Sequence, residues 1–467
     1  MNIDRRLVFS GTLLPFLLLT QTVQSNSIFP WLAFSMILFV SFTMYFIHTS
    51  YGISQDTTLI LLSLIIATSV ITKVFILVFP PGLIGADPDT YLKFSHITAI
   101  SGNATQFDYF KFYNNAPIFH ILLAETELIL GASLKIPMLL FPFAIGILTP
   151  LTAYILSQYI FDSNKISLFA VLFASVLPIN TVRAFWPIPQ SLGLVYFLIM
   201  IICLYKSIRG GGSARFKFIV LLMILVSVFT HKIIPSIMLI TILSIWLYHL
   251  YIGVNRGAVT TPLTVLSLVM VFYQFAILTD YLTSSIGLVG NMLSGVSISE
   301  VSSIGSNLDG ASPATEPFFS VFHSHSHALL LLPMAALSWL FLFKMEISTE
   351  ETSYTLVLVS VLTGVFAVSS VNALNPSSIQ PMRIYMLVNI FYVLILSGSI
   401  YTVLTTTNTP QSKLSHTLKS GLPMFVLILL LVTQIASAAA YPAYPGEPRM
   451  YLNSEEMSAK EFGYKYA

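Results

Sequence analysis

Three sets of residues in this chain have the types and spacing to do chemistry. The first is a carboxylate pair, Asp87 and Asp89, in the stretch GADPDTY at 85–91, directly after a long apolar run. A carboxylate at such an edge can take a proton from a hydroxyl, and two on an extended D-x-D can share a hard divalent cation such as Mg or Mn. Pro88 between them donates no backbone hydrogen bond and stiffens the pair. The same letters suit a turn cap, because Asp-Pro often opens a turn. The second set is cationic: Arg183 in NTVRAFWPIPQS, His231 and Lys232 in FTHKIIPS, and Arg383 in SIQPMRIYM. Each falls at the end of an apolar run, where a cation either snorkels to lipid phosphates or holds an anionic ligand. Trp186 and Gln190 lie beside Arg183 and suit a sugar. The third set is His323, His325 and His327 in FHSHSHA. On an extended segment these alternate positions share one side and could bind a metal or a phosphate, or simply end a solvated loop.

The elements that must position these residues are membrane spans. The chain has 467 residues, 56% of them hydrophobic and only 9% charged, and its mean hydropathy is +0.85. Soluble domains are about 25% charged, so this composition specifies an all-α polytopic membrane protein. Net charge is +2 with no basic block, so nucleic acid is not indicated as a partner. The single cysteine, Cys203, leaves no internal disulfide. Runs long enough to span occur at 7–25, 29–48, 57–80, 136–160, 166–182, 188–207, 216–231, 233–252, 261–279, 328–344, 353–372, 384–403 and 421–440, about 13 transmembrane helices. The first follows MNIDRR, lacks a small-residue cleavage site and reads as a retained anchor. With a cytoplasmic N-terminus, the short inner loops hold most of the loop Lys and Arg, densest in YKSIRGGGSARFK. The segment 116–133, APIFHILLAETELILGAS, is apolar but carries His120, Glu125 and Glu127. As a span it would invert the charge bias after it, so it is expected as a helix in the outer interface with its polar residues facing water or the site, and a true span as the alternative.

The long regions, 81–135, 280–327 and the tail 441–467, then all lie outside, with 1–440 as one transmembrane domain. The Ser- and Gly-containing 280–327 region is a candidate lid. Asn103 opens an NAT sequon in the first long loop. There is no P-loop, G-x-S-x-G, H-E-x-x-H or C-x-x-C, so ATP-driven transport and serine hydrolysis have no motif support.

The stretch GADPDTYLKFSHITAISG, followed by YNNAPIFHILLAETELILGAS, resembles the first outer loop of the GT-C membrane glycosyltransferases. The matching residues are Asp89, Tyr91, Gly102 and the Pro117–Ile118–Phe119 start of the second helix. LTPLTAYILSQYIF and VLPINTVRAFWPIPQSLG are similar to the next two spans and second outer loop of that superfamily. The resemblance implies a GT-C fold with interfacial helices in the first outer loop. It also implies inverting transfer of a sugar from a polyprenyl- or dolichyl-phosphate donor to a glycan, lipid-linked or protein acceptor. Asp89 would be the general base, with Asp87 as helper or metal ligand. Arg383, His231, Lys232 and Arg183 would hold the donor phosphate. Tyr91, His96, Trp186, Gln190, His323, His325 and His327 would line the substrate. The site and the C-terminus would face the outside of the cell membrane. One departure stands out: where the second acid of the oligosaccharyltransferases is expected, this chain has FWPIPQS with Gln190. That argues against en bloc oligosaccharide transfer and makes a metal optional. Two alternatives stay open: a polysaccharide polymerase or O-antigen-type ligase, and a lipid-linked sugar transporter or flippase.

Overall fold

The computed structural model describes residues 53–78, 83, 86–104, 111–131, 135–252, 259–278, 318–344, 350–371 and 381–406, with 36–47 in part. Every regular element among them is helical. That follows from the solvent: a backbone crossing lipid must satisfy its polar groups within its own segment. The helices are α1 (Gln55–Val78), α2 (Ala86–Ser101), α3 (Lys111–Asn115), α4 (Ile118–Leu130), α5 (Leu140–Phe161), α6 (Asn164–Ser175) and α7 (Pro178–Phe185). They continue with α8 (Pro189–Arg209), α9 (Ala214–Val228), α10 (Ile234–Ile252), α11 (Thr261–Tyr273), α12 (Phe318–Lys344), α13 (Glu350–Val371) and α14 (Pro381–Thr406).

Six of these stretches are long and apolar enough to cross a membrane: Gln55–Val78, Pro137–Phe161, Pro189–Arg209, Ile234–Ile252, Glu351–Ser370 and Met382–Thr402. They coincide with six of the expected runs, and the chain is a multi-pass membrane protein. The run expected at 166–182 is not one straight span. It is the pair α6 and α7, bent by 50°. Pro178, at the first position of α7, has no N–H to continue the ladder of α6. The runs expected at 216–231, 261–279 and 328–344 contain shorter apolar helical stretches, α9, Thr261–Ala276 and Leu330–Phe343. The expected spans 7–25 and 421–440, the tail 441–467 and most of the 280–327 loop lie outside the described residues. So does most of 29–48, apart from an apolar helical stretch Leu38–Ile47.

The core is built around α14. From Ile384 to Leu396 every residue of it is buried, and it packs against α12, α13, α6 and α5. Polar links join helices where water is scarce: Tyr205 to Thr355 at 2.7 Å, Thr363 to Tyr392 at 2.8 Å, and His249 to Tyr354. Large apolar side chains also face outward, among them Phe143 and Ile147 on α5, Phe218 on α9, Leu266 and Phe272 on α11 and Phe343 on α12. A water-soluble bundle would carry polar residues there.

The residues expected as an interfacial helix form α4, which has 13 residues. At 1.5 Å per residue it is about 20 Å long, too short for a hydrocarbon core of about 30 Å. It lies beside α2 and runs in the same direction. Tyr91 meets Phe119, Ser95 meets His120, and His96 meets Glu127. Gly131 ends α4 in the left-handed conformation, φ 54°, and its N–H closes on the Glu127 carbonyl.

Candidate active site

Asp87 and Asp89 lie in the first turn of α2, so the extended D-x-D expected from sequence is replaced by helix. The local reason is plain. Proline is tolerated in a first turn, and the helix N-terminus favours carboxylates. Two positions apart on a helix differ by about 200°, so the two acids leave the backbone on opposite sides. Asp87 is exposed and Asp89 half-buried. The pair therefore does not fit a shared divalent cation. Among the described residues no group of three or more His, Cys, Asp or Glu could hold a metal.

One turn into α2, Tyr91 enters a cluster of rings. Its ring packs edge-on to Tyr113 at 5.5 Å and to Phe119 at 5.9 Å, and lies 5.7 Å from His120. The Tyr91 and Tyr113 hydroxyls stand 3.4 Å apart. His120 is fully buried, with Nδ1 3.3 Å from Ser95 Oγ. Burial lowers its pKa to about 4, against an opposing hydrogen bond with the Tyr91 backbone. Near neutral pH it is an uncharged ring in an aromatic floor. Burial also raises the Tyr91 hydroxyl; the Tyr113 hydrogen bond opposes this, the Asp87 carboxylate adds to it and the Arg383 guanidinium pulls it back. The same two charges act on Tyr113, whose hydroxyl burial and Tyr91 hold well above the usual range. An acid from α2 and an arginine from α14 thus bear on one tyrosine pair.

The cations converge as well. His231 sits buried in the turn between α9 and α10 and is held well below its usual pKa. Burial is the main cause, followed by the positive charges of Arg383, Lys232 and Arg183. Its Nδ1 accepts the Ile233 N–H at 3.2 Å, which fixes the tautomer with the proton on Nε2. The fold positions each member. Gln274 Nε2, in the π-turn Gln274–Leu278 after α11, donates to the Val228 and His231 carbonyls at 2.9 and 3.1 Å. Asn389 of α14 donates to Asn180 of α7 at 3.0 Å, tying the helix of Arg383 to that of Arg183. Ser191 Oγ donates to the Arg183 carbonyl at 2.7 Å. The first loop docks on the same end of the bundle: the Ile118 N–H reaches the Phe229 carbonyl at 3.2 Å, and Asn115 Nδ2 reaches the Leu278 carbonyl at 3.2 Å.

Trp186 closes α7, half-buried. Gln190, in the first turn of α8, is buried, and its Nε2 makes no hydrogen bond among the described residues. His96 lies further along α2, with Nδ1 2.6 Å from Glu127 Oε1. The backbone of His323, His325 and His327 is helical, within α12, so the extended geometry expected to align them is absent, because alternate positions on a helix do not share a face. Sequence reasoning passed over Tyr113, Ser95, Asn180, Gln274 and Asn389. Only YNNAP, with its aromatic beside two amides in a long loop, carried any local signal.

No protein-family model matches the chain, and no curated protein matches its sequence. Solved structures do match. The apo crystal structure of the Archaeoglobus fulgidus oligosaccharyltransferase is similar with a TM-score of 0.56 and 13% identity, covering 89% of this chain and 59% of that one. The same archaeal oligosaccharyltransferase, AglB, in complex with an inhibitory peptide and a dolichol-phosphate, gives 0.53 and 12% over the same shares. Its complex with Zn and sulfate gives 0.52 and 14%, covering 86% of this chain and 55% of that one. The likeness is one of fold: the chain is a polytopic membrane protein whose helices are arranged like those of the archaeal oligosaccharyltransferase. It spans about 59% of the length of the first of these structures.

Proposed function

We propose that the chain is an inverting glycosyltransferase that moves a sugar from a polyprenyl-phosphate donor to an acceptor hydroxyl at the outer face of the cell membrane. One observation carries this reading. Three cations from three separate elements, Arg183, Lys232 and Arg383, bear on His231, while Arg383 also bears on the tyrosine pair that Asp87 reaches. The first turn of α2, which carries Asp87 and, on its other side, Asp89, thus lies at the end of the bundle where these cations act, and this supports the reading. In such a transfer the leaving group is a lipid phosphate that gains negative charge as the glycosidic bond breaks. Cations fixed in advance around it stabilise that charge as it develops. Asp89 accepts the proton of the attacking hydroxyl, which approaches the anomeric carbon from the side opposite the phosphate. Tyr91 and Tyr113 offer hydroxyls and Trp186 a flat ring to a sugar, and Gln190 offers a buried donor. The dolichol-phosphate named for the archaeal oligosaccharyltransferase complex supports the donor class.

The test is incubation of the purified protein with a radiolabelled polyprenyl-phosphate hexose and a lipid-linked glycan acceptor. Consumption of donor with inversion at the anomeric carbon is expected, and Asp89→Ala is expected to abolish it while the protein stays folded. A ligase or polymerase that works through arginine and histidine would keep its activity in Asp89→Ala. If wild type neither consumes nor binds the donor, the transferase reading fails.

A further inference from the structure

Lys73 is a lysine inside a membrane helix, a placement that is costly and points to function. It is 1% exposed, in the last third of α1. Its Nζ donates to Ser69 Oγ at 2.8 Å, one turn back, and to the Ser175 carbonyl at 2.9 Å. Ser69 Oγ leans on the same carbonyl at 3.5 Å. Ser175 is the last residue of α6, at the point where the span breaks through 50°.

The backbone shows why that carbonyl takes a charged donor. A helix end leaves its last carbonyls without partners from the following turn. Here the Val176 and Leu177 N–H groups turn back to Phe173 and Ala174, and Pro178 has no N–H to give. The buried ammonium serves this carbonyl and also complements the negative end of the helix dipole. The anchor is fixed, because α1 is pressed against α5: a Cβ on Gly146 would lie 2.9 Å from the Val70 Cα. The helix being anchored is only eight residues long and does not hold its own direction. Its first turn is tied by Asn180 to Asn389, and its last turn by the Arg183 carbonyl to Ser191. Lys73 ties its base.

We propose that Lys73 is a positioning residue. Its ammonium pins the break between α6 and α7 and so sets where Arg183 and Trp186 meet a phosphate-bearing lipid. The lipid phosphate rests on the donor reading above; the pinning of the break does not.

Two measurements on the full chain in lipid nanodiscs separate these layers. The first is amide hydrogen exchange over residues 176–186. Lys73→Met is expected to speed exchange there by about tenfold, and Lys73→Arg, which keeps charge and donors, to restore slow exchange. Unchanged exchange in Lys73→Met overturns the proposal whatever the ligand does. If Lys73→Met does not fold, Ser69→Ala loosens the ammonium without removing it. Exchange is then expected to rise by a smaller factor in the same segment, and no rise overturns the proposal. The second is binding of undecaprenyl monophosphate. Lys73→Met is expected to weaken it by about tenfold, and in an Arg183→Ala background to cost almost nothing more, since both act through one site. A full, additive loss in that background shows that Lys73 acts elsewhere and overturns the positioning role. If wild type does not bind this lipid, the donor reading fails, and the exchange result alone decides the pinning.

Discussion

His120 shows how far a side chain's surroundings can move its chemistry. It lies in an apolar segment, buried against Tyr91, Phe94, Tyr113 and Phe119. Burial lowers its pKa to about 4, whereas the unfolded chain titrates near 6.5. Between those values the unfolded state binds the proton that the folded state refuses, so stability falls as pH drops from 6.5 towards 4 and levels off below. Over that window the loss comes to about 3 kcal/mol. His120→Phe removes this dependence, so the gap in thermal midpoint between pH 7 and pH 4.5 is expected to shrink in the variant. Thermal unfolding in detergent at the two pH values measures it. At the phosphate side the expected change is opposite in kind. Arg383→Ala leaves the fold standing but is expected to weaken binding of a polyprenyl monophosphate by about 2 kcal/mol, the order of a charge-assisted hydrogen bond. Arg383→Lys is expected to recover only part, because the planar fork is lost. Equilibrium binding of the labelled lipid reads both. The cations were visible in sequence as lone charges at the ends of apolar runs, where snorkelling and anion binding read alike, and their common bearing on His231 was not. His120, expected with Glu125 and Glu127 to face water or the site, is instead buried among rings, because its surroundings are set by neighbours that one-dimensional spacing does not reveal. The carboxylate pair was legible in type but not in shape: D-P-D reads as extended or helical according to whether a helix starts there, and here one does.

At the scale of elements, hydropathy and length locate six of the thirteen expected runs as helices long enough to cross, among the described residues, since a segment crossing lipid has little choice but helix. The break at Ser175 to Pro178 is what the run 166–182 concealed: average hydropathy does not register a missing N–H. Close crossings are equally silent in sequence. Gly146 of α5 is such a point, because any Cβ there meets the backbone of Val70. Gly146→Ala is expected to cost roughly 1–3 kcal/mol by forcing α1 and α5 apart. At Gly364 of α13 an added methyl would meet nothing within 4 Å, so Gly364→Ala is expected to be neutral or to stabilise by up to about 1 kcal/mol through helix propensity. Thermal midpoints of the two variants side by side distinguish a packing cost from a general intolerance of substitution. A fall in both alike would show that the α1–α5 contact is not special. Because α1 also carries Lys73, a Gly146→Ala protein that still folds is expected to lose lipid-phosphate binding as well.

At the scale of the whole molecule, no local pattern could announce that Asp87 and Arg383 bear on the same tyrosines. That convergence depends on how the first-loop helices dock on the turns after α9 and α11. The sequence carries only one global vector, the distribution of Lys and Arg, and it assigns the first loop and the loop after α8 to opposite sides of the membrane. The fold agrees on geometry. Pro189–Arg209 is long enough to cross, and it begins beside the Arg183 turn and ends at Gly210. Sidedness is therefore testable without any knowledge of substrate. In a Cys203→Ser background, Ser101→Cys at the end of α2 and Ala214→Cys at the start of α9 both sit at exposed positions. In intact cells an impermeant maleimide is expected to label residue 101 and spare residue 214. After permeabilisation it is expected to label both. The opposite pattern would place the acid and the cations on the cytoplasmic side, where an acceptor in the cell envelope cannot reach them. It would end the outer-face reading while leaving the fold and the converged charges as they are.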